Sequence, residues 1–280
     1  TNLMQLKKLF AALAVSGGLV FTLAGCGDKA PAEKTAAPAQ TAAVELKIGV
    51  SPVPHADIIN FVAPTLEKEG VKVKVIEFND YVQPNLALSE KELDANFFQH
   101  KPYLDTFSKE HKLNLAVLTA VHLEPMGVYS KSIKNVADLP DGAKIAVPND
   151  PTNGGRALLV LQSAGLIKLR DGAPVTATPQ DIAENPHNLK FSELEAPQLP
   201  RSLADVDAAV ININYALEAQ LNPTDAIYTE SKDSPYANIV AVRAGDENRP
   251  EIQELMKALT SPESKKFIED TYKGAVIPAF

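Results

Sequence analysis

The sequence is poor in the features that most often declare a function. It holds one cysteine, Cys26, in 280 residues. One thiol cannot close a disulfide within the chain, nor build a multi-cysteine zinc site, so the fold must be held by its core. Positive charge is in deficit: the net charge is −8, and no basic cluster breaks it. An acidic surface argues against nucleic acid as a partner, because phosphate contacts dominate that affinity. There is no Gly-Lys-Ser/Thr loop ending and no G-x-G-x-x-G, so the nucleotide signatures fail. No Gly-x-Ser-x-Gly elbow, His-Glu-x-x-His pair or catalytic cysteine occurs, and the chain is read as a non-enzyme.

What is present begins at the N-terminus. Gln5-Leu6-Lys7-Lys8 is a short basic region, and residues 9–24 are almost wholly apolar. That is a signal-peptide pattern, with Met4 as the natural start. The run is a little short for a bilayer span of roughly 20 residues. Leu23-Ala24-Gly25-Cys26 resembles the bacterial lipobox, which implies cleavage before Cys26 and its lipidation. Residues 27–43 are rich in Ala, Pro, Lys and Thr, with no large apolar side chain. Such a segment cannot bury enough surface to fold. As a flexible tether it would span roughly 20–25 Å and hold the folded body near a membrane.

From Val44 onward, strand-like and helix-like runs alternate. Residues 46–50, 71–75, 94–98 and 113–121 read as strands, with helical spacing between them. Residues 144–147, 190–194 and 208–213 supply strands of a second unit. Residues 238–242 follow a return crossing, and residues 250–272 read as two amphipathic helices. A β-α-β-α order implies sheets that are mostly parallel and covered by helices. The expected fold is α/β with two lobes and a cleft between them. Residues 1–25 form the leader, 26–43 the lipidated cysteine and tether, 44–129 with 233–280 the first lobe, and 130–232 the second. Ligands in open α/β sheets bind near strand C-terminal ends.

The stretch from Asn149 to Leu161 draws the most attention. A buried-looking strand enters it and a helical pattern leaves it. Thr152 or Asn153 can cap that helix, and Gly154 and Gly155 remove Cβ atoms that would keep a ligand from the backbone. With Arg156 alongside, the helix start suits an anion, and a guanidinium fork suits a carboxylate. A plain strand-to-helix turn with a solvated arginine fits the same stretch.

Five segments taken together carry more. They are Glu77-Phe78-Asn79-Asp80-Tyr81, Leu93 to Leu104 with its Asn96-Phe97-Phe98-Gln99-His100 core, Asn149-Asp150-Pro151-Thr152-Asn153, Asp205 to Asn212, and Ser234-Pro235-Tyr236-Ala237-Asn238. With the lipobox they resemble the methionine-binding lipoproteins of bacterial ABC importers, the NlpA-type family. The resemblance implies a two-lobed periplasmic-binding-protein fold that closes on a free amino acid and docks on a permease driven by an ATPase. It implies that Arg156 holds the ligand carboxylate, that Asn212 and Asn238 hold the head group, and that Tyr81, Phe98 and His100 line the side-chain pocket. The chemistry agrees: a zwitterion needs a cation and oxygen acceptors, and a thioether packs well on aromatic rings. No cofactor is implied. Asn214, Tyr215, Asn153 and Glu124 are secondary candidates near the same site.

Two rivals remain. The first is a binder of another small amino acid or a short peptide. The second is a zinc-type transport lipoprotein using His100, His111, His122 and Glu124. His100 and His111 are eleven residues apart, about three helical turns. A metal site needs three or four converging ligands, however, and His111 sits in a charged run that reads as a solvated face.

Overall fold

The computed structural model of the chain describes residues 42–280. The leader, Cys26 and the tether up to residue 41 lie outside the described residues. β1 (Val44–Val50) opens the body, and α1 (Asp57–Lys68), β2 (Val71–Glu77), α2 (Gln83–Ser89), β3 (Ala95–His100), α3 (Lys101–His111) and β4 (Leu115–Leu123) follow. Leu46, Ile48 and Val50 alternate along β1 into the core, as a period of two requires. Ile58, Ile59, Val62 and Leu66 bury one face of α1, which runs on through Pro64. Gly70, at φ +78°, then turns the chain into β2.

Residues 124–126 carry the chain to a second sheet. There it forms β5 (Gly127–Tyr129), β6 (Lys144–Pro148), α4 (Pro151–Ser163), β7 (Lys168–Leu169) and β8 (Ile182–Glu184). It continues with β9 (Lys190–Leu194), α5 (Leu199–Ser202), β10 (Ala208–Ile211), α6 (Ile213–Glu218) and β11 (Tyr228–Thr229). Residues 230–237 return it to the first sheet as β12 (Asn238–Arg243), and α7 (Pro250–Leu259), α8 (Pro262–Tyr272) and β13 (Ile277–Pro278) close the chain.

The larger sheet has the order β13-β4-β12-β3-β1-β2 and the smaller β11-β5-β10-β6-β9. Each has a parallel centre, β2-β1-β3 in one and β9-β6-β10 in the other. The strands next to the crossings run against it: β12 is antiparallel to β3 and β4, and β5 is antiparallel to β10 and β11. A strand entered from the other sheet arrives from the opposite end, which is why both sheets are more mixed than alternation suggests. The same pairing moves a boundary. Residues 127–129, expected in the first lobe, are β5 and bond within the second sheet. The first crossing is therefore only Glu124, Pro125 and Met126. Among the described residues no helix is long and apolar enough to span a membrane.

Candidate ligand-binding site

Tyr81, Phe98, His100, Arg156, Asn212 and Asn238 all line one cavity. Glu124, Asn153, Asn214, Gln99, Tyr103 and Ile213 complete its wall. Tyr81, Phe98 and His100 come from the first lobe, and Arg156, Asn212 and Asn214 from the second. Asn238 opens β12 at the end of the second crossing.

The start of α4 differs from the expected open anion site. Its cap is Asp150, not Thr152 or Asn153: the Asp150 carboxylate accepts the Asn153 backbone N–H at 3.0 Å and the Asn153 Nδ2 at 2.9 Å. Burial raises the Asp150 pKa, and the bonds from Asn153 and Thr152 pull against that rise. The glycines serve packing. A Cβ on Gly155 would lie 2.0 Å from the Val175 carbonyl oxygen, and one on Gly154 would lie 2.9 Å from the Pro148 carbonyl oxygen. They let neighbouring backbone approach the helix; the ligand side gains nothing from them.

Arg156 is 2% exposed. Its Nε and Nη2 donate to the two Glu230 carboxylate oxygens at 2.9 and 2.6 Å, a forked pair. Nη2 also donates to the Glu124 backbone carbonyl at 2.9 Å. The guanidinium lies 4.5 Å above the Tyr236 ring. Glu124 belongs to the first crossing and Glu230 and Tyr236 to the second, so one side chain ties both. Among the described residues Nη1 takes no acceptor, which leaves one edge of the fork for an incoming oxygen.

His100 caps α3. Its Nδ1 accepts the Tyr103 N–H at 3.1 Å, so Nε2 carries the proton and donates to Asn153 Oδ1 at 2.8 Å. Burial, with Arg156 nearby, lowers its pKa to about 3. Both nitrogens are therefore occupied, and His100 offers a ligand its ring. The Tyr81 hydroxyl donates to Asn214 Oδ1 at 2.5 Å, and the Tyr103 hydroxyl donates to the Tyr81 carbonyl at 2.6 Å. Phe98, Tyr103 and Tyr215 stand around Tyr81 with ring centroids 5.9, 5.8 and 4.9 Å away. The Tyr81–Asn214 and His100–Asn153 bonds join the two lobes across the cavity.

Several wall atoms are buried with no hydrogen-bond partner among the described residues. They are Asn212 Oδ1, Asn214 Nδ2 and Glu124 Oε1. Such groups are costly unless something polar meets them. Asn212 Nδ2 donates to Asn153 Oδ1 at 3.3 Å, which fixes its oxygen toward the cavity. Asn238 Oδ1 lies 2.8 Å from His55 Nε2, and the Asn238 side chain also bonds the Glu124 carboxylate.

Sequence reasoning missed two features. One is a closed ring of buried amides. Asn85 and Gln99 exchange bonds of 2.8 Å, and Asn96 bonds Asn85 Oδ1 at 2.8 Å, pinning α2 to β3 beside the cavity. The other is His55, which gathers with His122 and Glu124. His111 does not join them. It is exposed, and its ring stacks on Phe107 at 3.9 Å.

Two lobes closed over a polar cavity, joined by two crossings, define a substrate-binding protein of the periplasmic-binding type. The sequence model of the family described as NlpA lipoprotein matches residues 46–280, and the chain belongs to that family. A nutrient binding protein from Burkholderia cenocepacia, solved bound to methionine, is 54% identical with a TM-score of 0.81, over 84% of this chain and 100% of that one. A Coxiella burnetii structure described as an ABC transporter, periplasmic substrate-binding protein is 44% identical with a TM-score of 0.80, over 84% and 100%. A Pasteurella multocida protein described as a probable D-methionine-binding lipoprotein MetQ is 42% identical over 276 residues, 98% of this chain and 99% of the relative.

Proposed function

We propose that the chain captures free methionine in the cavity between its lobes and delivers it to an ABC importer, as a lipoprotein of the bacterial envelope. One observation carries the reading: unpartnered polar atoms of both signs, from the second lobe and a crossing, converge on a cavity that the aromatic side chains of the first lobe also line. Arg156 Nη1 is a donor suited to a carboxylate. Asn212 Oδ1 is an acceptor suited to an ammonium. Tyr81, Phe98 and Tyr103 offer the aromatic surface on which a thioether packs. The relatives bound to or named for methionine support the choice of side chain.

The test is a melting curve with and without methionine. A ligand that binds only the folded state adds RT ln(1 + [L]/Kd), about 4 kcal/mol at a thousandfold excess over Kd. A clear upward shift is expected with methionine, and a weaker one with leucine. No shift with methionine would remove this reading. In Arg156→Ala, methionine affinity should fall by roughly a hundredfold or more, since a buried carboxylate loses its charged partner.

A further inference from the structure

A second cavity borders the same two crossings. Glu124 lines the ligand site, and the next residue, Pro125, lines this one. Lys232 of the second crossing joins Pro125 there, with Tyr129 from the second lobe and Lys273, past the end of α8, from the first. Ile213 lines both cavities and is 2% exposed, so one buried side chain is their common wall. Leu217, one helical turn further along α6, lies beside it, and the Tyr272 ring adds apolar surface. The Tyr272 hydroxyl is already taken: it donates to Asp57 Oδ2 at 3.0 Å.

The polar groups of this cavity are one-sided. The chain carries 35 Asp and Glu against 27 Lys and Arg, yet among the described residues the cavity is lined by two lysines and no carboxylate. Both lysines are exposed. Among the described residues the only lysine ion pairs are those of Lys101 and Lys266, so Lys232 and Lys273 keep their charge unpaired. Tyr129 supplies a third donor. It is 3% exposed, and its hydroxyl is buried with no partner among the described residues. Gly127 accounts for its place. A Cβ on Gly127 would lie 3.0 Å from the Tyr129 hydroxyl oxygen, so the ring lies back along β5 toward the first crossing. Burial, and then the Asp225 charge, raise the Tyr129 pKa far above the phenol range, so the hydroxyl keeps its proton. A buried donor without an acceptor is costly.

We infer that this second cavity binds a small organic carboxylate with an apolar body. Lys232 and Lys273 hold its charge, the Tyr129 hydroxyl donates to one of its oxygens, and Ile213, Leu217 and Tyr272 cover its body. A zwitterion is not the cargo here, because nothing in the wall meets an ammonium. Both lobes and both crossings build the cavity, so its shape depends on the angle between the lobes. A carboxylate that fits the closed arrangement favours that arrangement. Methionine between the lobes favours it too, so each ligand tightens the other by the same factor. The carboxylate site stands apart from the methionine reading; only the coupling rests on it.

Calorimetric titration of the full chain with phenylacetate and with uncharged phenylacetamide, with and without saturating methionine, tests the site. Phenylacetate should bind tighter than the amide by roughly tenfold, the scale of two partly screened charge contacts. That preference should shrink as salt rises. The double variant Lys232→Gln, Lys273→Gln should lose it while binding methionine alone as before. Tyr129→Phe should weaken phenylacetate by roughly tenfold, as for a lost hydrogen bond to a charged group, without lowering the melting temperature of the ligand-free protein. A structural role for the hydroxyl would lower it. Saturating phenylacetate should lower the methionine Kd in wild type and leave it unchanged in the lysine variant. Equal binding of phenylacetate and phenylacetamide overturns the site, as does binding of neither. So does a lysine variant that keeps the preference. Phenylacetate binding that leaves methionine affinity untouched overturns the coupling. If methionine does not bind at all, the methionine reading falls by itself, and the lysine-dependent preference for phenylacetate still decides the second site.

Discussion

Arg156 shows how far residue chemistry is legible and where it stops. Its type and its place after a strand point to a carboxylate, and it does line the cavity. Its pairing with Glu230, 74 residues away, is invisible to any local pattern. His55 was missed for the same reason: it meets Asn238 across 183 residues, and nothing in Pro52-Val53-Pro54-His55 marks it. Gly155 was noticed for the wrong cause. Because its Cβ would meet the Val175 carbonyl at 2.0 Å, Gly155→Ala should destabilise the fold, despite the better helix propensity of alanine. Overpacking of this kind costs about 1–3 kcal/mol, read as a drop of several degrees in melting temperature. An unchanged melting temperature would show that the 173–177 segment yields freely. Buried histidines add a pH dependence. His55, His100 and His122 have folded pKa values of about 4, 3 and 3, below the unfolded value near 6.5. The unfolded chain therefore takes up protons first as pH falls, so their contribution is complete above about 6.5 and drains away toward 4 and below. Glu124 and Asp150 are raised and act in the opposite sense, losing their contribution as pH rises above the ordinary carboxyl range. Three histidines outnumber two carboxyls, so melting temperature should fall between pH 7 and pH 5. A scanning calorimeter checks the sign.

At the scale of elements, the alternation of periods placed the strands and helices well, because amphipathic spacing is set locally. Ends were harder. The cap of α4 lies two residues before Thr152 and three before Asn153, since Asp150 accepts the Asn153 N–H and reaches it from an extended backbone. Asp150→Ala should cost about 1 kcal/mol of stability, with chemical denaturation as the measure. The sheet assignment of β5 was not legible either. Gly127-Val128-Tyr129 reads as a strand in any sheet, and only its partners β10 and β11 decide which. The amide ring of Asn85, Asn96 and Gln99 illustrates the converse. Nothing local marks these three polar residues as buried, yet together they satisfy one another inside.

For the whole molecule, two lobes and a cleft followed from the order of segments, whereas the closed arrangement is a property of contacts that span it. Tyr81 to Asn214 and His100 to Asn153 are such contacts, one bond each. Tyr81→Phe removes the first and keeps the ring. Its ligand-free form should be more open, seen as a larger radius of gyration in solution scattering, and the difference should shrink on adding methionine. The anchor is expected to act independently of closure: Cys26→Ser should release the body from membranes, with its melting temperature unaltered.

A single guanidinium clasps both strands of the waist, holding the carboxylate of Glu230 in one and the backbone oxygen of Glu124 in the other. If cargo takes the remaining edge of that same group, its arrival is felt first at the joint rather than at the rims. Loading and swinging would then share one pivot. A cargo that fits the chamber but ignores the pivot would be held without being announced to the transporter.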